Sequence, residues 1–115
     1  MESILTSIKK LLGIAEEYTH FDDDLVMHIN SSLSVLTQLG VGPEQGFAIS
    51  GADANWTDFV LSNTKLELIK SYVGLKVRLL FDPPSSAAAI ESTNRMINEF
   101  EFRIQVIAES EVVGS

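Results

Sequence analysis

TKLELIKSYVGLKVRLLFDPPSS, residues 64–86, is the stretch that decides the fold. Thr64 and Glu67 have the spacing of a capping box, in which two side chains satisfy the first free amides of a helix. A long helix is therefore predicted to begin there. It is predicted to end near Phe81, because Asp82-Pro83-Pro84 follows, and proline cannot continue a helix and disfavours helical backbone in the residue before it.

Apolar side chains lie on two sides of this helix when its residues are placed at about 100° each. One group is Leu66, Ile69, Val73, Val77 and Leu80, and the other is Leu68, Tyr72, Leu75 and Leu79. A helix that is apolar on two sides is either central to its own domain or shared with a partner molecule. Both interpretations stay open, because the core of a small domain can hold one central helix.

A last long helix is predicted after the prolines, capped by Ser85 or Ser86 and running to about Glu109. Its apolar stripe is Ile90, Thr93, Ile97, Phe100, Ile104 and Ile107. Phe102 lies well away from that stripe, with Val106 near it. Such a residue is either an isolated exposed apolar side chain, which is common, or an anchor for a protein interface, where aromatic residues are enriched.

Two further helices are predicted towards the N-terminus. Residues 3–12 place four apolar side chains on one face, and Gly13 is predicted to end that helix. Those side chains are Ile4, Ile8, Leu11 and Leu12. The second helix is predicted to begin with Asp22 as its cap and with Phe21 and Val26 as a hydrophobic staple. Its stripe, which ends before Gly40, is Leu25, Ile29, Leu33 and Leu36.

The middle of the chain, residues 41–63, is irregular and rich in glycine. Phe47-Ala48-Ile49 is a candidate extended piece, and Trp56 to Leu61 is a candidate for one or two helical turns. Taken together, these patterns predict an all-α fold, a small helical bundle whose two long C-terminal helices are joined by a Pro-Pro turn. One helical domain is predicted over residues 1–109, followed by a flexible tail over 110–115.

The charge balance and the motifs exclude several functions. The chain has 16 acidic and 8 basic residues, a net charge of -8, and no cysteine. The basic surface of a nucleic-acid-binding protein, thiolate metal sites and cysteine nucleophiles are therefore excluded. His20 and His28 lack metal-ligand spacing, and Asp22-Asp23-Asp24 is best interpreted as an acidic helix start. No enzymatic activity, metal or cofactor is expected, and no apolar run approaches the roughly 20 residues that span a bilayer.

Four stretches resemble a known family. Tyr72 to Pro84 (YVGLKVRLLFDPP) is similar to the head–tail connector, or head-completion adaptor, proteins of tailed bacteriophages and prophages. Asp22 to Leu39 resembles the early helix of that family, and the segment around Phe47 and Trp56-Thr57-Asp58-Phe59 resembles its middle loop. Glu99-Phe100-Glu101-Phe102-Arg103 resembles the end of its last helix. The resemblance covers roughly residues 3–108.

This resemblance implies a structural virion protein that forms a ring beneath the portal and joins the DNA-filled head to the tail. The implied partners are other copies of the chain, the portal protein and a tail-side completion protein. DNA would pass through the lumen of the ring without specific binding, and no membrane is involved. The implied location is the head–tail interface of the virion, after synthesis in the cytoplasm of the bacterial host.

Six residues from these patterns and matching stretches form the candidate protein interface. They are Trp56, Leu68, Tyr72, Leu75, Phe102 and Arg103. The alternative function is a small cytosolic helical module that regulates or binds another protein, since nothing in the helical periodicity alone separates the two.

Overall fold

The computed structural model describes residues 2–60 and 66–114, with side chains described as far as residue 109. These ranges contain five helices and no strand, and their one extended pairing is a bridge between Ser3 and Asn55. The all-α prediction is confirmed. The helices are α1 (Ile4–Leu12), α2 (Asp22–Gln38), α3 (Trp56–Phe59), α4 (Leu66–Phe81) and α5 (Ala87–Gly114).

The ends of α1 lie where the sequence predicts them. The Ser3 hydroxyl accepts a hydrogen bond from the Thr6 amide at 3.3 Å, and Gly13 ends the helix with a φ of 77°. That left-handed conformation is one that glycine adopts without the clash a side chain would make. Ile4 and Ile8 are fully buried as predicted, but Leu11 is 52% exposed and lies at the edge of a surface groove.

The start of α2 differs from the prediction. Asp22 is not its cap, because Phe21 occupies the cap position without a side-chain hydrogen bond. The Asp22 carboxylate lies 2.9 Å from the buried ammonium of Lys9, which takes the place of the helix amides as its partner. Phe21 packs edge-on against Phe81, with ring centres 5.1 Å apart. The predicted stripe Leu25, Ile29, Leu33 and Leu36 is fully buried.

The irregular middle segment is held by side-chain hydrogen bonds. No strand forms at 47–49; instead the Asn30 amide on α2 accepts from the Ile49 N–H at 2.7 Å and donates to its carbonyl at 2.9 Å. The helical piece that follows is a single turn, α3, in which the Asp58 carboxylate accepts from the Asn55 amide at 2.8 Å.

The central helix is α4, which packs against α1, α2 and α5. Its inward residues are Ile69, Tyr72, Val73, Gly74 and Val77. The prediction that Leu80 continues the buried stripe is wrong, since Leu80 is half exposed in the last turn before the Pro-Pro connection. Thr64, the first residue of the predicted capping box, lies outside the described residues, as does Lys65.

The last helix begins as predicted, with the Ser86 hydroxyl accepting from the Ala89 amide at 3.1 Å. Ile97, Ile104 and Ala108 are its buried residues, so most of its surface faces away from the core. It ends at Gly114 rather than near residue 109, because neither glycine nor proline interrupts it earlier. At 1.5 Å per residue its 28 residues extend about 42 Å, close to the longest dimension of the molecule, 43 Å.

Candidate protein interface

Two of the six candidate interface residues lie in the core. Trp56 is buried, and its indole N–H donates to the Ser7 hydroxyl at 2.7 Å, which ties α3 to α1. Tyr72 is fully buried, and its hydroxyl donates to the Glu101 carboxylate at 2.8 Å, which ties α4 to α5. Burial and this hydrogen bond raise the pKa of Tyr72. These side chains have no free surface in the folded subunit, so they act in the fold and not as its contact surface.

Three of the other four residues come together on one surface. Leu68, Phe102 and Arg103 surround a shallow depression with Val106 and Ile107, and we call these five residues the Phe102 patch. Phe102 is 67% exposed and Val106 is 43% exposed. Arg103 is held beside the patch by an ion pair with Glu99 one turn earlier, at 2.8 Å. The exposed side chains of Phe102 and Val106, which we call the crest of the patch, therefore stand at the depression with the Glu99–Arg103 charges beside them, an arrangement typical of a binding surface.

Leu75 belongs to a different surface. It lies in an open groove of about 310 Å³ between α1, α4 and α5, which we call the three-helix groove. Its lining is Leu11, Ser71, Gly74, Leu75, Arg78, Met96 and Phe100. Leu11 and Met96, at 52% and 47% exposed, form its apolar rims.

Two residues of α4 shape this groove. A Cβ atom at Gly74 would lie 2.8 Å from the Leu11 side chain, so glycine lets α1 approach α4 closely. Arg78 donates to the Leu11 carbonyl at 2.6 Å, at the carbonyl end of α1, where a cation is favourable. Leu11 was predicted to share one apolar face with Ile4, Ile8 and Leu12, and Met96 was not among the predicted interface residues. Its position four residues before Phe100, on the same side of α5, is the signal that was available.

A charged cluster borders the groove on the α1 side. The Glu2 carboxylate accepts from Lys70 at 3.0 Å and lies 3.7 Å from the Lys10 ammonium. The hydrogen bond from Lys70, with the charges of both lysines, outweighs partial burial and lowers the pKa of Glu2. These ion pairs join Glu2 to α4 through Lys70 and to α1 through Lys10.

Neither a metal centre nor a membrane segment is apparent in the part of the chain that the structure describes. No three of its histidine, aspartate and glutamate side chains group together as ligands. None of its helices is both long and apolar enough to cross a bilayer. His20 instead packs edge-on against Phe21, with ring centres 4.9 Å apart.

Comparison with known families assigns the chain to a family. Residues 4–111 match the family described as phage connector protein, a match that extends from the first residue of α1 into the last turns of α5. The chain belongs to the phage connector protein family. No curated protein and no solved structure gives a significant match.

Membership of this family confirms the resemblance in the sequence and makes the chain a structural component of the phage virion. The matched range includes both exposed surfaces, the Phe102 patch and the three-helix groove. Connector membership implies contacts with the head and tail components of the particle. The two surfaces hold four of the seven large apolar side chains that are exposed among the described residues, Leu11, Met96, Phe102 and Val106.

Proposed function

We propose that this connector protein forms a ring beneath the portal and joins the DNA-filled head to the tail. The Phe102 patch is the observation that supports it within the subunit. A phenylalanine with two-thirds of its surface in water contributes little to the stability of its own fold. In an assembly the Phe102 side chain would be buried, and aromatic anchors of this kind dominate the binding energy of protein interfaces.

In the proposed ring, α5 supplies most of the contact surface. The helix is about as long as the molecule, and among its side chains described, residues 87–109, the buried ones are Ile97, Ile104 and Ala108. Its exposed side therefore presents contacts to neighbouring subunits, to the portal protein above and to a tail-side completion protein below. The neighbouring subunits bind through the Phe102 patch and the three-helix groove.

The charge of the chain is compatible with a DNA conduit. A net charge of -8 per subunit repels the phosphate backbone, and a ring multiplies that charge by the number of its subunits. DNA in the lumen would then pass without being held. Binding to free duplex DNA should be undetectable at physiological salt, and a strong salt-dependent complex would contradict this part of the proposal.

The experiment that tests the proposed function is the substitution Phe102→Glu, assayed with the portal protein of the same phage. The exposed position predicts a change of only about 0.5 kcal/mol in the free energy of unfolding. Burying an unpaired carboxylate in an interface costs several kcal/mol, so rings on the portal should be lost. Electron microscopy counts the rings, and circular dichroism verifies that the subunit is folded.

Met27→Glu is the matched control for this substitution. Met27 is on α2 and is 58% exposed, but it lines neither of the two surfaces. It should fold and assemble like the wild type. A folded Phe102→Glu protein that assembles as well as Met27→Glu would remove Phe102 from the interface. A wild type that associates neither with itself nor with the portal would refute the connector ring altogether.

A further inference from the structure

We infer that the Phe102 patch of one subunit docks in the three-helix groove of a second copy, and that this pairing is the repeating contact of the ring. The inference rests on the proposed ring and goes further, because it assigns which surface meets which. It begins from the observation that one chain carries both an exposed apolar crest, Phe102 with Val106, and an apolar groove.

The groove has the size and lining to receive a phenyl ring. A protein cavity of about 150 Å³ already binds benzene, and this groove has about twice that volume and is open at the surface. Three of its side chains favour an aromatic occupant. The Arg78 guanidinium can lie over a ring face, the Met96 sulfur can contact a ring edge, and Phe100 can stack edge-to-face.

The chain itself provides a matching phenyl ring. Five of its six phenylalanines are buried or partly buried, and Phe102 alone is exposed. Val106, one turn further along α5, extends the crest. A second copy of the chain therefore presents an aromatic side chain with an apolar neighbour, which is the chemistry that the groove accepts.

The charges at the two surfaces are also compatible. Arg78 is the one charged residue that lines the groove, and no carboxylate among the described residues lies within ion-pair distance of it. On the patch, Glu99 lies about 60° around α5 from Phe102, one turn earlier. It pairs with Arg103 in the free subunit. Docking would bring the Glu99 carboxylate, together with the Arg103 guanidinium that it pairs with, towards Arg78. The carboxylate can then bridge the two arginines, so the contact adds an attraction between subunits that are otherwise both acidic.

The positions of the two surfaces on α5 make the contact heterologous. Phe102 lies about 160° around the helix from Phe100, which lines the groove. Crest and groove are thus different surfaces of the subunit, and each copy can use its crest on one neighbour and its groove on another. A head-to-tail contact of this type closes into a ring when its rotation permits, whereas a contact between identical surfaces stops at a dimer.

Complementation between two variants tests the pairing. Phe102→Glu removes the crest and keeps the groove, whereas Met96→Glu places a charge in the groove and keeps the crest. Neither variant should form rings alone. Mixed in equal amounts, the two variants retain one intact contact, between the crest of Met96→Glu and the groove of Phe102→Glu. We therefore expect one-to-one dimers that do not grow further, and sedimentation in the presence of the portal detects them. Dimers of either variant alone, or a mixture that behaves as the sum of its parts, would overturn the inference.

Cross-linking locates the contact without disturbing it, because the natural chain has no cysteine. Val106→Cys marks the edge of the crest, and Met96→Cys marks the rim of the groove. The two variants carry tags of different mass and are mixed before they assemble into rings on the portal. A short bis-maleimide should join the two tags, whereas Val106→Cys with Met27→Cys should give only background. Rings that form normally without the Val106–Met96 product would refute this pairing but leave the connector function standing. A wild type that forms no ring at all would refute both.

Discussion

Lys9 is a buried cation that holds the connection between α1 and α2. Its side chain is 3% exposed, and its ammonium donates to the carbonyls of Glu16 at 2.8 Å and Tyr18 at 2.7 Å. The Asp22 carboxylate lies 2.9 Å from the same nitrogen. The two carbonyls accept two of the three N–H groups of the ammonium, and the Asp22 oxygen is its ion-pair partner and makes no hydrogen bond among the described residues. We predict that Lys9→Met, which keeps an apolar stem of similar length, strongly destabilises the subunit.

The magnitude follows from what the substitution leaves behind. Removing one partner of a buried ion pair costs about 3–5 kcal/mol, because the other charge is left without compensation. The Asp22 oxygen that faces Lys9 is itself buried, but the side chain as a whole keeps 27% of its surface in water, so the carboxylate charge stays partly solvated without its partner. We therefore expect the lower end of the range, about 3 kcal/mol. That is a large part of the roughly 5–15 kcal/mol by which domains of this size are stable.

Urea unfolding followed by circular dichroism measures the loss as a lower midpoint with an unchanged slope. For a chain of this length, the melting temperature should fall by roughly 12 °C. Lys10→Met is the matched control. The Lys10 side chain is 70% exposed, and its described carboxylate contact is Glu2 at 3.7 Å. This variant should change the free energy of unfolding by about 0.5 kcal/mol at most. If Lys9→Met proves as stable as Lys10→Met, the ammonium contributes nothing net and the reasoning is refuted.

Two further predictions concern the loop and the α4–α5 contact. Gly42→Ala should destabilise by more than the roughly 1–2 kcal/mol of a left-handed backbone, since the φ of Gly42 is 82° and an added Cβ would clash with the Phe59 ring. Gly46→Ala, with a φ of 99° and open space around the position, should cost the backbone contribution alone, and equal urea midpoints for the two variants would contradict this. Tyr72 has a folded pKa above its unfolded value of 10.0, so the unfolded chain releases that proton first. The contribution of Tyr72 to the free energy of unfolding is complete below pH 10 and is lost above it by about 1.4 kcal/mol per pH unit. In Tyr72→Phe, the free energy of unfolding should therefore fall with alkaline pH less steeply, by that amount.

The helix ends that the sequence predicted correctly are those encoded by single residues. A glycine at position 13 and a proline pair at 83–84 restrict the backbone whatever surrounds them. Asp22 was misassigned because a carboxylate has several possible partners. The helix amides are local, but Lys9 belongs to another helix and reaches Asp22 only after the chain has folded.

The candidate interface residues also fall into those that the local sequence could place and those that depend on partners from other helices. Phe102 was placed at the surface from the stripe of its own helix, and it is exposed. Trp56 and Tyr72 could not be placed, because an aromatic side chain with a polar atom suits an interface or a core equally well. Their burial depends on Ser7 and Glu101, partners from other helices. The groove could not be predicted for a related reason, since three separate helices have to pack before it exists.

The two apolar sides of α4 connect the core with the proposed assembly. On its first side Ile69, Val73 and Val77 are fully buried, Leu66 is partly buried and Leu80 is half exposed. On its second side some residues face the core and others face the exposed surfaces. Tyr72 points inward to Glu101, while Leu68 and Leu75, one turn to either side, lie at the edges of the Phe102 patch and the three-helix groove. The helix is therefore central to the domain and also borders both exposed surfaces. A change at Tyr72 would disturb the α4–α5 packing that positions those surfaces, so a loss of rings would not distinguish a contact residue from a core residue. Phe102 and Met96 are free of this ambiguity because both are exposed on α5, and the assembly can be tested through them while the α4 core stays intact.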